Sequence, residues 1–132
     1  MKNHRFAQGL LLLQVLLLFI GTQMPGALRA ELEASMHSPW GLSSMAHFVV
    51  FVGMAAVAYA RPMAWPWHRV LLAALGLALL TEGLQFFAMD RHPGWLDVGI
   101  DMAGAFTGLG LVVLWEAQQR QRYKGINPRP YR

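Results

Sequence analysis

Residues 95–115 read WLDVGIDMAGAFTGLGLVVLW, twenty-one positions whose only charges are Asp97 and Asp101. An α-helix needs about 20 mostly apolar residues to cross a hydrocarbon core of roughly 30 Å, so this stretch is long enough to span a membrane. Its polar residues are not scattered. At about 100° per residue, Asp97, Asp101, Gly104 and Gly108 share one narrow stripe of the helix. Small residues four apart let a second helix approach closely. The face that carries the acids is therefore the face expected to pack, with two carboxylates above a Gly-x-x-x-Gly seam. The other faces are apolar and suit lipid.

Three further stretches repeat the pattern. Phe6 to Leu28 and Pro39 to Ala60 carry no charge, and Val70 to Met89 carries only Glu82. The fold class expected is all-α, an integral membrane bundle of four transmembrane helices over about 6–24, 42–60, 69–88 and 96–116. A basic tail, 117–132, follows, and the whole chain 1–132 reads as one membrane domain. None of the seven prolines falls inside these spans. A helix-interior proline costs about 3 kcal/mol, so their placement supports the boundaries. Trp40, Trp65, Trp67, Trp95 and Trp115 all lie at span ends, where aromatic belts sit at headgroup depth.

Composition agrees. The chain of 132 residues is 55% apolar and only 14% charged, too few charges to cover a soluble globule and too apolar for a disordered chain. Cysteine is absent, which excludes disulfides, thiolate metal sites and cysteine nucleophiles. The formal charge is +4, and its distribution assigns the partner. Lys2, Arg5, Arg61, Arg69, Arg120, Arg122, Lys124, Arg129 and Arg132 fall on one side of the four-span layout, and Arg29 and Arg91 on the other. The positive-inside rule then puts both termini in the cytoplasm. The basic tail faces anionic lipid, so the bilayer and not nucleic acid is the expected partner. The first span is read as retained. Lys2, Arg5 and the leucine run resemble a signal peptide, but Leu28 fills a position of the best cleavage site, after Ala30, that prefers a small residue.

Ionisable and polar groups inside a membrane are costly and each is a site hypothesis. His47 falls early in the second span, Glu82 and Gln85 late in the third, and Asp97 and Asp101 early in the fourth. All five thus lie at one depth, in the outer half of the bilayer. Glu82 and Gln85, three apart, are neighbours on their helix. Ser43 and Ser44 precede His47 by about one turn, so either hydroxyl can sit beside it.

The ordered set His47-Phe48, Glu82-x-x-Gln85, Arg91 and Asp97-x-x-x-Asp101-x-x-Gly104-x-x-x-Gly108 resembles the VanZ-like family of small bacterial integral membrane proteins. This chain departs from the family pattern in having Ser43 and Ser44 where Asp-Lys is common, and Asp101 where Asn is usual. The resemblance implies a multi-pass protein of the bacterial cytoplasmic membrane with a cell-envelope role. The family takes its name from a member linked to teicoplanin resistance, which does not make this chain a resistance determinant.

With Asp90 and Arg91 included, the outer cluster of Glu82, Asp90, Asp97 and Asp101 sums to −3 if every group is ionised. A cationic or hydroxyl-rich group, such as an aminosugar or peptide amine, suits it better than a bare phosphate. The expectation is an outward-facing site, lined by His47, Glu82, Gln85, Arg91, Asp97 and Asp101, for an envelope or glycopeptide-like ligand. Other readings remain open. A polar network that merely locks three helices in register needs no ligand. A membrane hydrolase or transferase would use His47 as base with an acid orienting it, but no hydroxyl is convincingly placed as nucleophile. No metal is expected, because no helical His-x-x-x-His pair accompanies the acids, and no cofactor is implied. A proton- or cation-coupled carrier would need polar residues in the inner halves of the spans, which read as Leu, Val and Ala.

Overall fold

A computed structural model describes residues 2–36, 41–85, 87 and 94–126. Within them the chain forms five α-helices: α1 (Lys2–Thr22), α2 (Gly26–Met36), α3 (Leu42–Tyr59), α4 (Trp67–Gln85) and α5 (Trp95–Ile126). No strand occurs among the described residues.

Three of these helices, over Asn3–Thr22, Trp67–Gln85 and Trp95–Tyr123, are long and apolar enough to cross a membrane. The fourth expected span, α3, has 18 residues, or about 27 Å at 1.5 Å per residue, slightly short of the usual hydrocarbon thickness. It is nevertheless the centre of the bundle, since α1, α4 and α5 all pack on it. The outer surface is apolar: Leu12, Leu16 and Ile20 of α1, Leu72 and Leu80 of α4, and Leu111 and Leu114 of α5 are all exposed. The interior is built from small residues, Ala55, Ala58, Ala74, Ala78 and Ala105, around Phe51, Val70 and Leu109. That inversion of large outside and small inside suits helices that gain from close contact in lipid.

Helix directions follow from residue pairs. Ser44 meets Asp97 and His47 meets Asp101, while Phe48 meets Gly104 and Val52 meets Gly108. Both numbers rise together, so α3 and α5 are parallel. Gln14 meets Gly53, whereas Asn3 and Phe6 share a cleft with Ala60 and Arg61, so α1 is antiparallel to α3. A tight turn reverses the chain between α3 and α4. Pro62 and Pro66 exclude helix continuation there, and the Trp65 N–H donates back to the Ala58 carbonyl at 2.9 Å. The bundle therefore alternates in direction over α1, α3, α4 and α5. This gathers Arg5, Arg61, Arg69, Arg120 and Arg122 towards one end.

Two elements depart from the sequence reading. The span pattern leaves only a connection between the first two spans, and helix α2 occupies it. Its Leu28 and Leu32, four apart, are both exposed. Helix α5 runs on to Ile126 instead of stopping at 116. Gln and Arg are good helix formers, so leaving the apolar zone does not end the helix; Arg120 and Glu116 pair loosely on its surface at 3.9 Å. The third span was expected to reach 88, and α4 closes at Gln85; 86 and 88–93 lie outside the described residues.

Candidate polar site at the end of the α3–α5 seam

The site begins with the glycines. A Cβ on Gly104 would sit 2.6 Å from the Phe48 carbonyl oxygen, and one on Gly108 would overlap the carbonyl oxygen of Val52. Both glycines are buried. Only at such residues can the two backbones come this close. One and two turns further along the same parallel seam, the rungs become polar. His47 Nδ1 lies 3.1 Å from Asp101 Oδ1. Ser44 Oγ donates to Asp97 Oδ1 at 3.4 Å. The stripe of Asp97, Asp101, Gly104 and Gly108 is thus one ladder: glycine rungs set the spacing, and carboxylate rungs use it.

Helix α4 closes the third side. Glu82 Oε2 accepts the Gly94 N–H at 2.8 Å, and Gln85 Nε2 donates to Glu82 Oε1 at 3.3 Å. Gly94 directly precedes the first residue of α5. The Glu82 carboxylate therefore satisfies one of the backbone donors that a helix start leaves unpaired, where the helix dipole also favours negative charge. Three helices are tied by side chains at one end, and Glu82 lies within electrostatic reach of Asp97, Asp101 and His47.

Burial divides these groups into two tiers. His47, Glu82, Gln85 and Asp101 are buried. Asp97 is half-buried, and Ser44 lines a cleft of about 390 Å³ with Met45, Phe48, Val49 and Ile100. Asp101 is wholly buried, and its Oδ2 has no hydrogen-bond partner among the described residues. A buried carboxylate oxygen without a partner is unusual, and it marks a place where a further donor would be stabilising. Among the described residues, no group of three or more His, Asp or Glu is arranged to hold a metal ion.

Five of the six expected site residues are thus brought together: His47, Glu82, Gln85, Asp97 and Asp101. The sixth, Arg91, lies outside the described residues. Of the two serines one turn before His47, Ser44 bonds Asp97. Among the polar residues that escaped the sequence reading are the buried Thr22 and the half-buried Gln14. Thr22 closes α1 through a bond from its Oγ1 to the Phe19 carbonyl at 2.9 Å. Gln14, in mid-span, lies against Gly53 with its Oε1 buried and unpartnered among the described residues. Thr22 lies near the end of its span, whereas Gln14 is a polar residue inside an apolar run, the same signal that singles out Gln85.

The sequence model of the VanZ/LLP1 family matches residues 5–116, which contain the whole ladder and every residue of the site. No curated protein and no solved structure matches the chain.

Proposed function

This chain belongs to the VanZ/LLP1 family, a bacterial membrane protein with a cell-envelope context, and from that premise we propose that its polar ladder binds the headgroup end of an envelope amphiphile. In this reading α1, α3, α4 and α5 all span the cytoplasmic membrane, with both termini and the basic end in the cytoplasm. The ladder then lies in the outer leaflet. The observation that carries the reading is the unpartnered Oδ2 of the buried Asp101 beside a half-buried Asp97.

Each tier has a task. Ser44 and Asp97 form the rim that a ligand meets first. His47, Asp101, Glu82 and Gln85 form a fixed floor, and their mutual hydrogen bonds preorganise it. The apolar cleft of Met45, Phe48, Val49 and Ile100 starts at Ser44, so one molecule can place a polar head on Asp97 and an apolar portion in the cleft. Three carboxyl groups against one imidazole favour a cationic or hydroxyl-rich head, such as an aminosugar or peptide amine, over a phosphate.

The test uses two amphiphiles of equal chain length, an alkyl glucosaminide and an alkyl glucoside. The purified chain should be stabilised more by the amine-bearing compound. Asp97→Asn should remove that preference and leave the melting temperature without amphiphile near wild type. Equal stabilisation by both compounds, with an unaltered response in Asp97→Asn, would reduce the ladder to structural glue between helices.

A further inference from the structure

At the opposite end of the bundle, the first turns of α1, the last turn of α3 and Val112 of α5 enclose a cleft of about 400 Å³. Its composition is asymmetric. Asn3 and Arg61 supply the polar groups, and Phe6, Leu10, Val57 and Val112 supply apolar walls. On α1 the lining positions Asn3, Phe6, Ala7 and Leu10 recur at helical spacing, so one face of the helix grades from amide to hydrocarbon as it runs towards mid-bilayer. The volume lies within the range of about 300–1,000 Å³ usual for small-molecule sites. It is too small for a whole lipid and suits a headgroup region with the near part of one chain.

Arg61 has an external role open to it. Among the described residues the one ion pair of a Lys or Arg is Arg120–Glu116, so no described carboxylate neutralises Arg61. Arg5 and Arg69 lie towards the same end and reinforce a positive potential. Basic pockets between membrane helices are natural sites for anionic lipid headgroups. We propose that this cleft holds an anionic phospholipid, with its phosphate on Arg61 and Asn3 and one acyl chain against Phe6, Leu10, Val57 and Val112. The bound lipid would fill the gap between α1 and the α3–α5 pair and act as a strut. The proposal is independent of the polar ladder, which lies at the other end of α3.

The experiment compares phosphatidylglycerol with phosphatidylcholine of identical chains, added to the purified full chain in a neutral maltoside detergent. Tryptophan fluorescence reports the melting temperature and native mass spectrometry counts retained lipid. The expected result is a larger rise in melting temperature with phosphatidylglycerol and a single retained molecule of that lipid. Inorganic phosphate at matched concentration should have no such effect. Arg61→Gln should reduce phosphatidylglycerol retention by about fivefold and erase the difference between the lipids, with stability in phosphatidylcholine unchanged. Val57→Phe, which fills the cleft and keeps Arg61, should lose the retained lipid; if that variant does not fold, Arg61→Gln alone decides. Equal stabilisation by both lipids, an equal effect of inorganic phosphate, or a lipid preference that survives Arg61→Gln would overturn the proposal.

Discussion

Gly108 faces the carbonyl oxygen of Val52 so closely that a Cβ would overlap it, whereas Gly110, two residues on, has nothing within 4 Å of the same position. The contrast separates a glycine required by packing from one that is only tolerated. Gly108→Leu should lower stability by roughly 1–3 kcal/mol through overpacking. Gly110→Ala should be neutral or stabilising by up to about 1 kcal/mol, since alanine is the better helix former. Melting temperatures in detergent check both. A wild-type value for Gly108→Leu would mean that the seam does not hold the bundle.

The contact between His47 and Asp101 should behave as a coupled pair. Asp101→Asn keeps an acceptor for the imidazole and matches the residue usual in the family, so its stability should stay near wild type. Asp101→Ala strands a buried imidazole and should cost about 1–3 kcal/mol. A double-mutant cycle with His47→Ala should give a coupling of about 0.5–3 kcal/mol. Additive effects would show that the two side chains touch without interacting.

Glu82 should protect the start of α5. Removing its carboxylate takes away the acceptor for the Gly94 N–H, much as losing a helix cap does. Glu82→Ala should cost about 0.5–2 kcal/mol and speed amide exchange in the first turn of α5. Glu82→Gln retains an acceptor oxygen and should show the smaller change. Exchange rates in that turn identical to wild type in both variants would remove Glu82 from this role.

The absence of cysteine makes topology directly measurable. A single cysteine at Ser35, which is exposed on α2, should react with an impermeant thiol label in intact cells. One placed after Lys124 should be protected until the cells are opened. The reverse pattern would invert the bundle and carry the ladder to the cytoplasmic side.

Periodicity made the ladder readable before any coordinates. A stripe of two acids above two glycines marks a packing face, and alternating spans make the second and fourth helices parallel, but spacing alone does not say which helix fills the seam. Direction and a shared depth were legible because a lipid environment leaves few places for His47, Glu82, Gln85, Asp97 and Asp101 to find partners. Individual hydrogen bonds were not. Ser44 and Ser43 are equivalent by spacing, and only the register set by Gly104 and Gly108 brings Ser44 to Asp97. Helix α2 is not legible from span length, since its 11 residues are too few to cross a membrane, although Leu28 and Leu32 share a helical face. Gln14 was missed because it stands alone, with no polar residue three or four positions away on its helix, and only the fold brings its amide against Gly53.

The parallel pairing of α3 with α5 also has a consequence for biogenesis. His47 and Asp101 are 54 positions apart, and α4 must be made between them. At about 5–20 residues per second of synthesis, the imidazole emerges roughly three to ten seconds before its carboxylate. During that interval α3 has no Asp97 for Ser44 and no glycine seam to lie in. The helix at the centre of the finished bundle is therefore made well before the helix that supplies its seam. In the four-span reading, a chain halted after Gln85 would leave α3 in the bilayer without Asp97 and Asp101 for its Ser44 and His47.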